Sequence, residues 1–212
     1  VGMALAERIL AARFGAELVG HRTYVLASDW ELTEALEKEA SSLAGHLGLG
    51  KLIVLYDDNS ITIEGPTSLS FSEDVARRYE SYGWEVQRAD GHSRDAVRAA
   101  LLRAQKDEEK PHLIICRTHI GQGSPAVDSS DAHGSFKDGE ATEQTRANLG
   151  WKLAPFEIPE PAREVFRANA SRGAAQRLDW EARRRALVKR PLPGREDWYS
   201  RVLLAARHRP PP

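Results

Sequence analysis

The chain has 212 residues, of which 41% are hydrophobic and 29% are charged, and its formal net charge is −1. This balance predicts one soluble globular core and argues against general disorder and against nucleic-acid binding by the chain as a whole. The single cysteine, Cys116, excludes an internal disulfide and fits a reducing, cytoplasmic compartment. There is no apolar run of about 18 residues and no signal-peptide pattern, so we expect no membrane span.

Residues 1–56 predict a helix, a strand, a second helix and a second strand. The first helix covers residues 2–14, and the run Thr23–Ala27 starts with β-branched and aromatic residues, as strands commonly do. Leucines at helical spacing then predict one helix from Glu31 to Leu49. The continuous apolar run Lys51–Tyr56 predicts a strand that is covered on both faces.

Asp29 and Asn59 follow these two strands directly. Strands joined by one helical crossover are parallel, so both residues should lie at the carboxyl edge of the sheet, where open α/β sheets bind ligands. A carboxylate oxygen and an amide oxygen suit Mg²⁺ or Ca²⁺, and an ion held by one protein charge can also attract a diphosphate. The alternative is ordinary turn formation, which acids and amides at strand ends favour.

The remaining residues of the core continue the alternation of helices and strands. We predict a helix over residues 72–81 capped by Ser72, a strand over 84–88, a helix over 95–107 and a strand over 112–117. Such alternation is typical of an α/β fold with a parallel sheet flanked by helices. The polar residues 119–139 predict a long loop, which in a compact domain is usually functional or mobile.

The character of the chain changes after about residue 160. Two helices are predicted, over residues 163–170 and 174–188, followed by a basic, proline-containing end with little order past residue 190. We therefore expect a domain over 1–160 and a helical, basic, partly disordered extension over 161–212. The basic residues lack interleaved aromatics, which favours a solvated extension over a nucleic-acid site.

Several motifs resemble those of transketolases. Ser28-Asp29-Trp30 stands where the family has Gly-Asp-Gly, and Tyr56-Asp57-Asp58-Asn59 is similar to the segment around its Asp-Asn pair. The likeness is colinear to about residue 160 and also includes Ser41–Gly45, Gly48–Ile53, Tyr82–Trp84, Asp90–His92, Thr118–Pro125, Asp131–Gly134, Leu149–Trp151 and Ala154–Pro159. It implies the thiamine diphosphate-binding fold of the family's first domain, without the family's N-terminal segment.

The resemblance also implies roles for individual residues. Asp29 and Asn59 would bind Mg²⁺ or Ca²⁺ through their side chains, and Ile61 through its backbone carbonyl. The implied contacts of thiamine diphosphate are Asp29, Trp30, Glu34, Asn59, Ile63 and His133. Glu34 and His133 would be the catalytic residues, with Glu34 in an acidic network between the two active sites of a dimer and Glu39 as a further member.

As a function, the resemblance implies transfer of a two-carbon ketol unit between sugar phosphates. This would require a partner chain that supplies the pyrimidine-binding domain, in a homodimer or a hetero-oligomer. The alternative is a catalytically degenerate relative with a binding or regulatory role, which Ser28 and Trp30 favour because they replace glycines beside the phosphates. A deoxyxylulose-phosphate synthase fits less well, since Gly150-Trp151-Lys152 and Pro155–Pro159 resemble transketolase.

Overall fold

A four-stranded parallel sheet lies at the centre of the computed structural model, which describes residues 1–134 and 139–188. Its strands are β1 (Thr23–Ser28), β2 (Leu52–Asp58), β5 (Glu85–Asp90) and β6 (His112–Arg117), in the order β1-β2-β6-β5. A two-stranded antiparallel ribbon of β3 (Ile61–Thr62) and β4 (Gly65–Pro66) follows β2. The predicted α/β fold is therefore confirmed. The elements are α1 (Gly2–Phe14), β1 (Thr23–Ser28), α2 (Ala35–His46), β2 (Leu52–Asp58), β3 (Ile61–Thr62), β4 (Gly65–Pro66), α3 (Val75–Ser81), β5 (Glu85–Asp90), α4 (Arg94–Ala104), β6 (His112–Arg117), α5 (Gly139–Asn148) and α6 (Glu160–Val188).

Helices cover both faces of the sheet. Leu52 and Val54 of β2 point to the core that α1, α2 and α3 close, whereas Ile53 points to the opposite core beneath α4. This confirms that β2 is covered on both faces, as its unbroken apolar run predicts. Cys116 lies in the second core as a buried, free thiol, as its strand position predicts.

The single helix predicted from Glu31 to Leu49 is wrong. A 3₁₀ turn at Glu31–Thr33 is separated from α2 by Glu34, which has an extended backbone with φ −64° and ψ 141°. Leu32 is buried, but the buried side chains of α2 itself are Ser41 and Ala44. The leucine spacing indicated helical structure without indicating the break, because one extended residue between a 3₁₀ turn and an α-helix leaves the spacing in the sequence unchanged.

Small residues allow α2 to lie close to the end of α3. A Cβ atom on Gly45 would lie 1.8 Å from the carbonyl oxygen of Tyr82, so only glycine fits there. The indole of Trp84 donates a hydrogen bond of 2.8 Å to the carbonyl of Ser41. These contacts fix α2, and with it the chain that leads from β1 into the helix.

Other predicted boundaries differ at helix ends. Helix α3 starts at Val75 with Asp74 as its cap, which accepts a hydrogen bond of 3.2 Å from the amide of Arg77, so the predicted Ser72 cap is wrong. The two helices predicted over 163–170 and 174–188 form one helix, α6. Gly173 lies in its interior, where glycine weakens a helix without necessarily ending it.

The described residues fall into two compact units, which divide between Pro155 and Phe156. The predicted domain limits of 1–160 and 161–212 stay predictions, and the expected lack of order past residue 190 falls outside the described residues. Within the part of the chain that the structure describes, no helix is long and apolar enough to cross a membrane.

Candidate functional site

The ends of β1 and β2 meet at one edge of the sheet. The two strands pair in parallel, with Ser28 opposite Asp57, so the residues that follow them are neighbours. A cavity of about 410 Å³ opens at this edge, within the size range of small-molecule sites. It is lined by Ser28, Asp29, Trp30, Glu31, Asn59, Ile61, Thr62, Ile63, Glu64, Ile120 and His133.

Asp29 is the buried carboxylate of this cavity, with only 4% of its surface exposed. One carboxylate oxygen accepts a hydrogen bond from the hydroxyl of Tyr56, and the other is buried without a hydrogen-bond partner. Burial raises the pKa of Asp29, the Tyr56 hydrogen bond opposes this, Asp58 raises it further, and the backbone amides of Ser60 and Asn59 lower it. An unpaired buried carboxylate oxygen is costly, which makes a ligand at this position favourable.

Asn59 lies in a tight turn between β2 and β3. Its side-chain oxygen accepts a hydrogen bond of 2.9 Å from the amide of Ile61, and its side-chain nitrogen donates to Asp57 at 3.3 Å. The next residue, Ser60, has a left-handed backbone with φ +63°, which is uncommon for a residue with a side chain. The amide oxygen keeps a second lone pair, so it can accept one bond from the chain and still bind a cation.

Ser28 and Trp30 adopt ordinary conformations beside Asp29. Trp30 is right-handed helical, with φ −68° and ψ −44°, so the backbone here does not require the glycine of the related motif. Its indole lines the cavity and is 63% exposed. The carboxylate of Glu31 accepts hydrogen bonds from the Ser28 amide, at 2.7 Å, and from the Ser28 hydroxyl. These bonds lower the pKa of Glu31, which therefore adds a negative charge to the cavity wall.

The charges of the lining decide which ligands fit. Asp29, Glu31 and Glu64 are acidic, and no lysine or arginine is among the described residues that line the cavity. A diphosphate alone would be repelled, whereas a divalent cation bound first would offset the carboxylates. No cluster of three or more His, Cys, Asp or Glu side chains suited to a metal occurs in residues 1–134 and 139–188. A carboxylate, an amide and a backbone carbonyl remain as a donor set of hard oxygens, which fits Mg²⁺ or Ca²⁺.

Most of the predicted site residues lie at this cavity, but not all. Asp29, Trp30, Asn59, Ile61, Ile63 and His133 line it together. His133 reaches it from a 3₁₀ turn, Ser130–His133, that packs against β3. Glu34 and Glu39 do not line the cavity; both are exposed, Glu34 at the start of α2 and Glu39 within it.

Three further residues of the edge escaped the sequence argument. Glu31 occupies the Ser28 donors, Tyr56 holds Asp29, and Arg117 contacts the turn that carries Asn59. The pattern Ser-x-x-Glu at residues 28–31 is a capping-box signal that could have indicated Glu31. No comparable signal exists for Tyr56 or Arg117, because their contacts join β1 to β2 and β2 to β6.

Comparison with known proteins identifies the family. The family model of the transketolase thiamine diphosphate-binding domain matches residues 1–203. This chain belongs to the transketolase family. It is 46% identical to the plasmid-encoded transketolase of Cupriavidus necator over 188 residues, or 86% of this chain, and 43% identical to the transketolase of Aquifex aeolicus over 85% of this chain.

Solved transketolases show the same fold. A transketolase from Pichia stipitis, solved as a mutant with fructose 6-phosphate, superposes with a TM-score of 0.83 at 34% identity over 88% of this chain. The Campylobacter jejuni transketolase gives a TM-score of 0.84 at 30% identity over 99% of this chain. The chain spans 28% of the length of the Cupriavidus protein and 32% of the Campylobacter chain. It is therefore a thiamine diphosphate-binding domain that corresponds to part of a transketolase.

Proposed function

We propose that this chain is the diphosphate- and metal-binding half of a transketolase, with residues 1–160 as the cofactor domain. It would contribute to transfer of a two-carbon ketol unit between sugar phosphates, with another chain supplying the pyrimidine-binding domain. The observation that carries the proposal is the buried, unpartnered oxygen of Asp29 beside the backbone of Asn59 in an acidic cavity. Such an arrangement favours a divalent cation and, through the cation, a diphosphate.

Each residue then has a definite task. Asp29, Asn59 and the Ile61 carbonyl bind Mg²⁺ or Ca²⁺, and Ile63 provides an apolar surface for the organic part of the cofactor. Thiamine diphosphate supplies the carbon-based chemistry of ketol transfer when it is bound, and the protein orients it. His133, which also lines the cavity, would donate hydrogen bonds to the diphosphate or the sugar substrate.

The outer face of α2 supports a proposal of dimer formation. Leu36 is 76% exposed and Leu43 is 47% exposed on a helix that also carries Glu39 and starts at Glu34. Large exposed apolar side chains on one helix favour association with another protein surface. We propose that a second chain packs there, so that Glu34 acts in an acidic network between two sites rather than inside the cavity of its own chain.

Titration of the chain with thiamine diphosphate and Mg²⁺ or Ca²⁺, followed by tryptophan fluorescence, tests the cofactor role. Trp30 lines the cavity and should report binding. We expect saturable binding that requires the metal. Asp29→Asn should weaken the binding by at least roughly tenfold, because it removes the only charged ligand. Glu64→Gln is the matched control, since it removes a carboxylate from the same cavity but no ligand, and it should not weaken binding.

Absence of binding at millimolar cofactor, both alone and with a pyrimidine-domain partner, would refute the cofactor role. Equal loss in the Glu64→Gln control would show that the cavity charge, not ligation by Asp29, determines affinity.

A catalytically degenerate, binding or regulatory protein is the second candidate. It is favoured by two observations: Trp30 lines the space beside Asp29, and Glu31 occupies the Ser28 amide that an anion could otherwise use. The double variant Ser28→Gly with Trp30→Gly restores the glycines that the family has on both sides of Asp29, and it separates the two candidate functions. Cofactor binding is measured by calorimetry, because the double variant lacks the Trp30 fluorescence signal. If the double variant binds thiamine diphosphate and the parent does not, the degenerate role is supported. If both bind with similar affinity, it is refuted.

A further inference from the structure

Arg117 holds the turn that carries Asn59. Its Nη1 atom donates to the Ser60 hydroxyl at 2.5 Å and to the Asp58 carbonyl at 3.2 Å, and it lies 3.4 Å from the Asp58 carboxylate. The adjacent amide of Thr118 donates to the same Asp58 carbonyl at 3.1 Å. Asp58 and Arg117 are direct partners in the pairing of β2 with β6, so these contacts extend the sheet past the ends of its strands.

The turn needs such support. Ser60 adopts the left-handed backbone, with φ +63°, a conformation that non-glycine residues keep only where surrounding contacts impose it. Arg117 contacts the residues on both sides of Asn59, namely Asp58 and Ser60. Loss of these contacts would free Ser60 to relax and would move the Asn59 side chain relative to Asp29.

The same cluster also reaches the second proposed ligand. The Tyr56 hydroxyl, which donates to Asp29, lies 3.5 Å from the Asp58 carboxylate that Arg117 pairs with. Arg117 itself is not part of the cavity lining, and its side chain is 53% exposed. By exposure alone it resembles an ordinary surface arginine, whose ion pair contributes little.

We propose that Arg117 is a positioning residue that fixes the Asp58–Ser60 turn and thereby sets the geometry of the metal site. This inference rests on the proposed function, because it assumes that Asn59 binds the metal. Residues that orient metal ligands typically change metal affinity by about 10- to 100-fold when they are replaced.

Charge and position predict opposite effects, which makes the inference testable. Arg117 is a cation near a site proposed for a divalent cation, so repulsion alone predicts that Arg117→Met strengthens metal binding. Positioning predicts that the same change weakens it. Arg117→Lys keeps the charge, but its side chain is shorter and should reach the three oxygens that Nη1 of Arg117 contacts less well, so it should also weaken binding, to a smaller extent.

The first experiment measures Mn²⁺ binding to the full chain by electron paramagnetic resonance, without cofactor, so that diphosphate contacts do not contribute. We expect about tenfold weaker binding in Arg117→Met. Arg103→Met is the matched control: Arg103 lies on α4 and donates a hydrogen bond to the side chain of Gln87 on β5, and the metal affinity of this variant should equal that of the parent. Unchanged or tighter binding in Arg117→Met would overturn the inference, whereas a parent chain that binds no metal would overturn the proposed function.

The second experiment needs no metal. Amide exchange of Ile61, whose N–H donates to Asn59, reports the order of the turn directly. We expect at least several-fold faster exchange in Arg117→Met and in Ser60→Ala, a non-additive effect in the double variant, and no change in Arg103→Met. Unchanged Ile61 exchange in Arg117→Met would overturn the inference whether or not the parent binds a metal.

Discussion

Tyr56→Phe should destabilise the chain by removing a hydrogen bond to a buried carboxylate. The Tyr56 hydroxyl is the side-chain donor to one oxygen of the Asp29 carboxylate, whose other oxygen is buried and unpaired. The ring keeps its volume, so no cavity forms. Loss of a hydrogen bond to a charged acceptor costs about 1.5–3 kcal/mol of unfolding free energy at pH 7.

This cost should depend on pH in a defined direction. Burial raises the pKa of Asp29 in the folded chain above the pKa of the unfolded chain. The contribution of Asp29 to stability is therefore favourable in acid, and it is lost as the pH rises through the unfolded-state pKa and then the folded-state pKa. Tyr56→Phe removes the largest of the interactions that lower this pKa, so the pKa of Asp29 in the folded chain should rise further. A larger fraction of the folded carboxyl is protonated at pH 4 than at pH 7, so the cost should fall at pH 4 toward that of a neutral hydrogen bond, about 0.5–1.5 kcal/mol.

Urea unfolding at pH 7 and pH 4, in buffer with a chelator to exclude metal, measures both values. Tyr24→Phe is the control, because the exposed Tyr24 hydroxyl accepts a hydrogen bond of 2.7 Å from the neutral side chain of Gln105. Its cost should be small and independent of pH. A Tyr56→Phe cost that is equal at the two pH values, or below about 0.5 kcal/mol at pH 7, would refute the reasoning.

Two further predictions concern packing and thiol chemistry. Gly45→Ala should lower the unfolding free energy by about 3 kcal/mol, because the new Cβ would lie 1.8 Å from the Tyr82 carbonyl oxygen. Gly173→Ala should instead raise the stability of α6 by about 0.5–1 kcal/mol, because its new Cβ would have nothing within 4 Å and alanine favours a helix over glycine. Thermal unfolding measures both, and a neutral Gly45→Ala would contradict the close approach. Burial and then Asp57 raise the pKa of the Cys116 thiol, so it should react with a thiol reagent roughly 100-fold more slowly in the folded chain than in denaturant. Equal rates would show that β6 is accessible.

Periodicity in the sequence was sufficient for the four strands of the central sheet and for their order along the chain, but not for the short β3-β4 ribbon, whose residues 57–70 read as a loop. The unbroken run in β2 and the helix that precedes it predicted a parallel pair with Asp29 and Asn59 at one edge, and these residues line one cavity. The resemblance to transketolase then predicted the family. The same periodicity missed the extended backbone at Glu34, because a single extended residue does not change the spacing of the leucines on either side of it.

The sequence by itself determined the sheet, the family and the residues that could bind a metal, because these depend on local pattern and motif. Only the tertiary structure decided that one oxygen of Asp29 has no partner, that Trp30 has ordinary dihedrals, and that Arg117 holds the Asn59 turn. These properties arise from contacts between residues distant in the chain: the Tyr56 and Asp29 pair is separated by 27 positions and the Arg117 and Ser60 pair by 57. Such contacts depend on strand order and on backbone conformation past the strand ends, which no local spacing specifies.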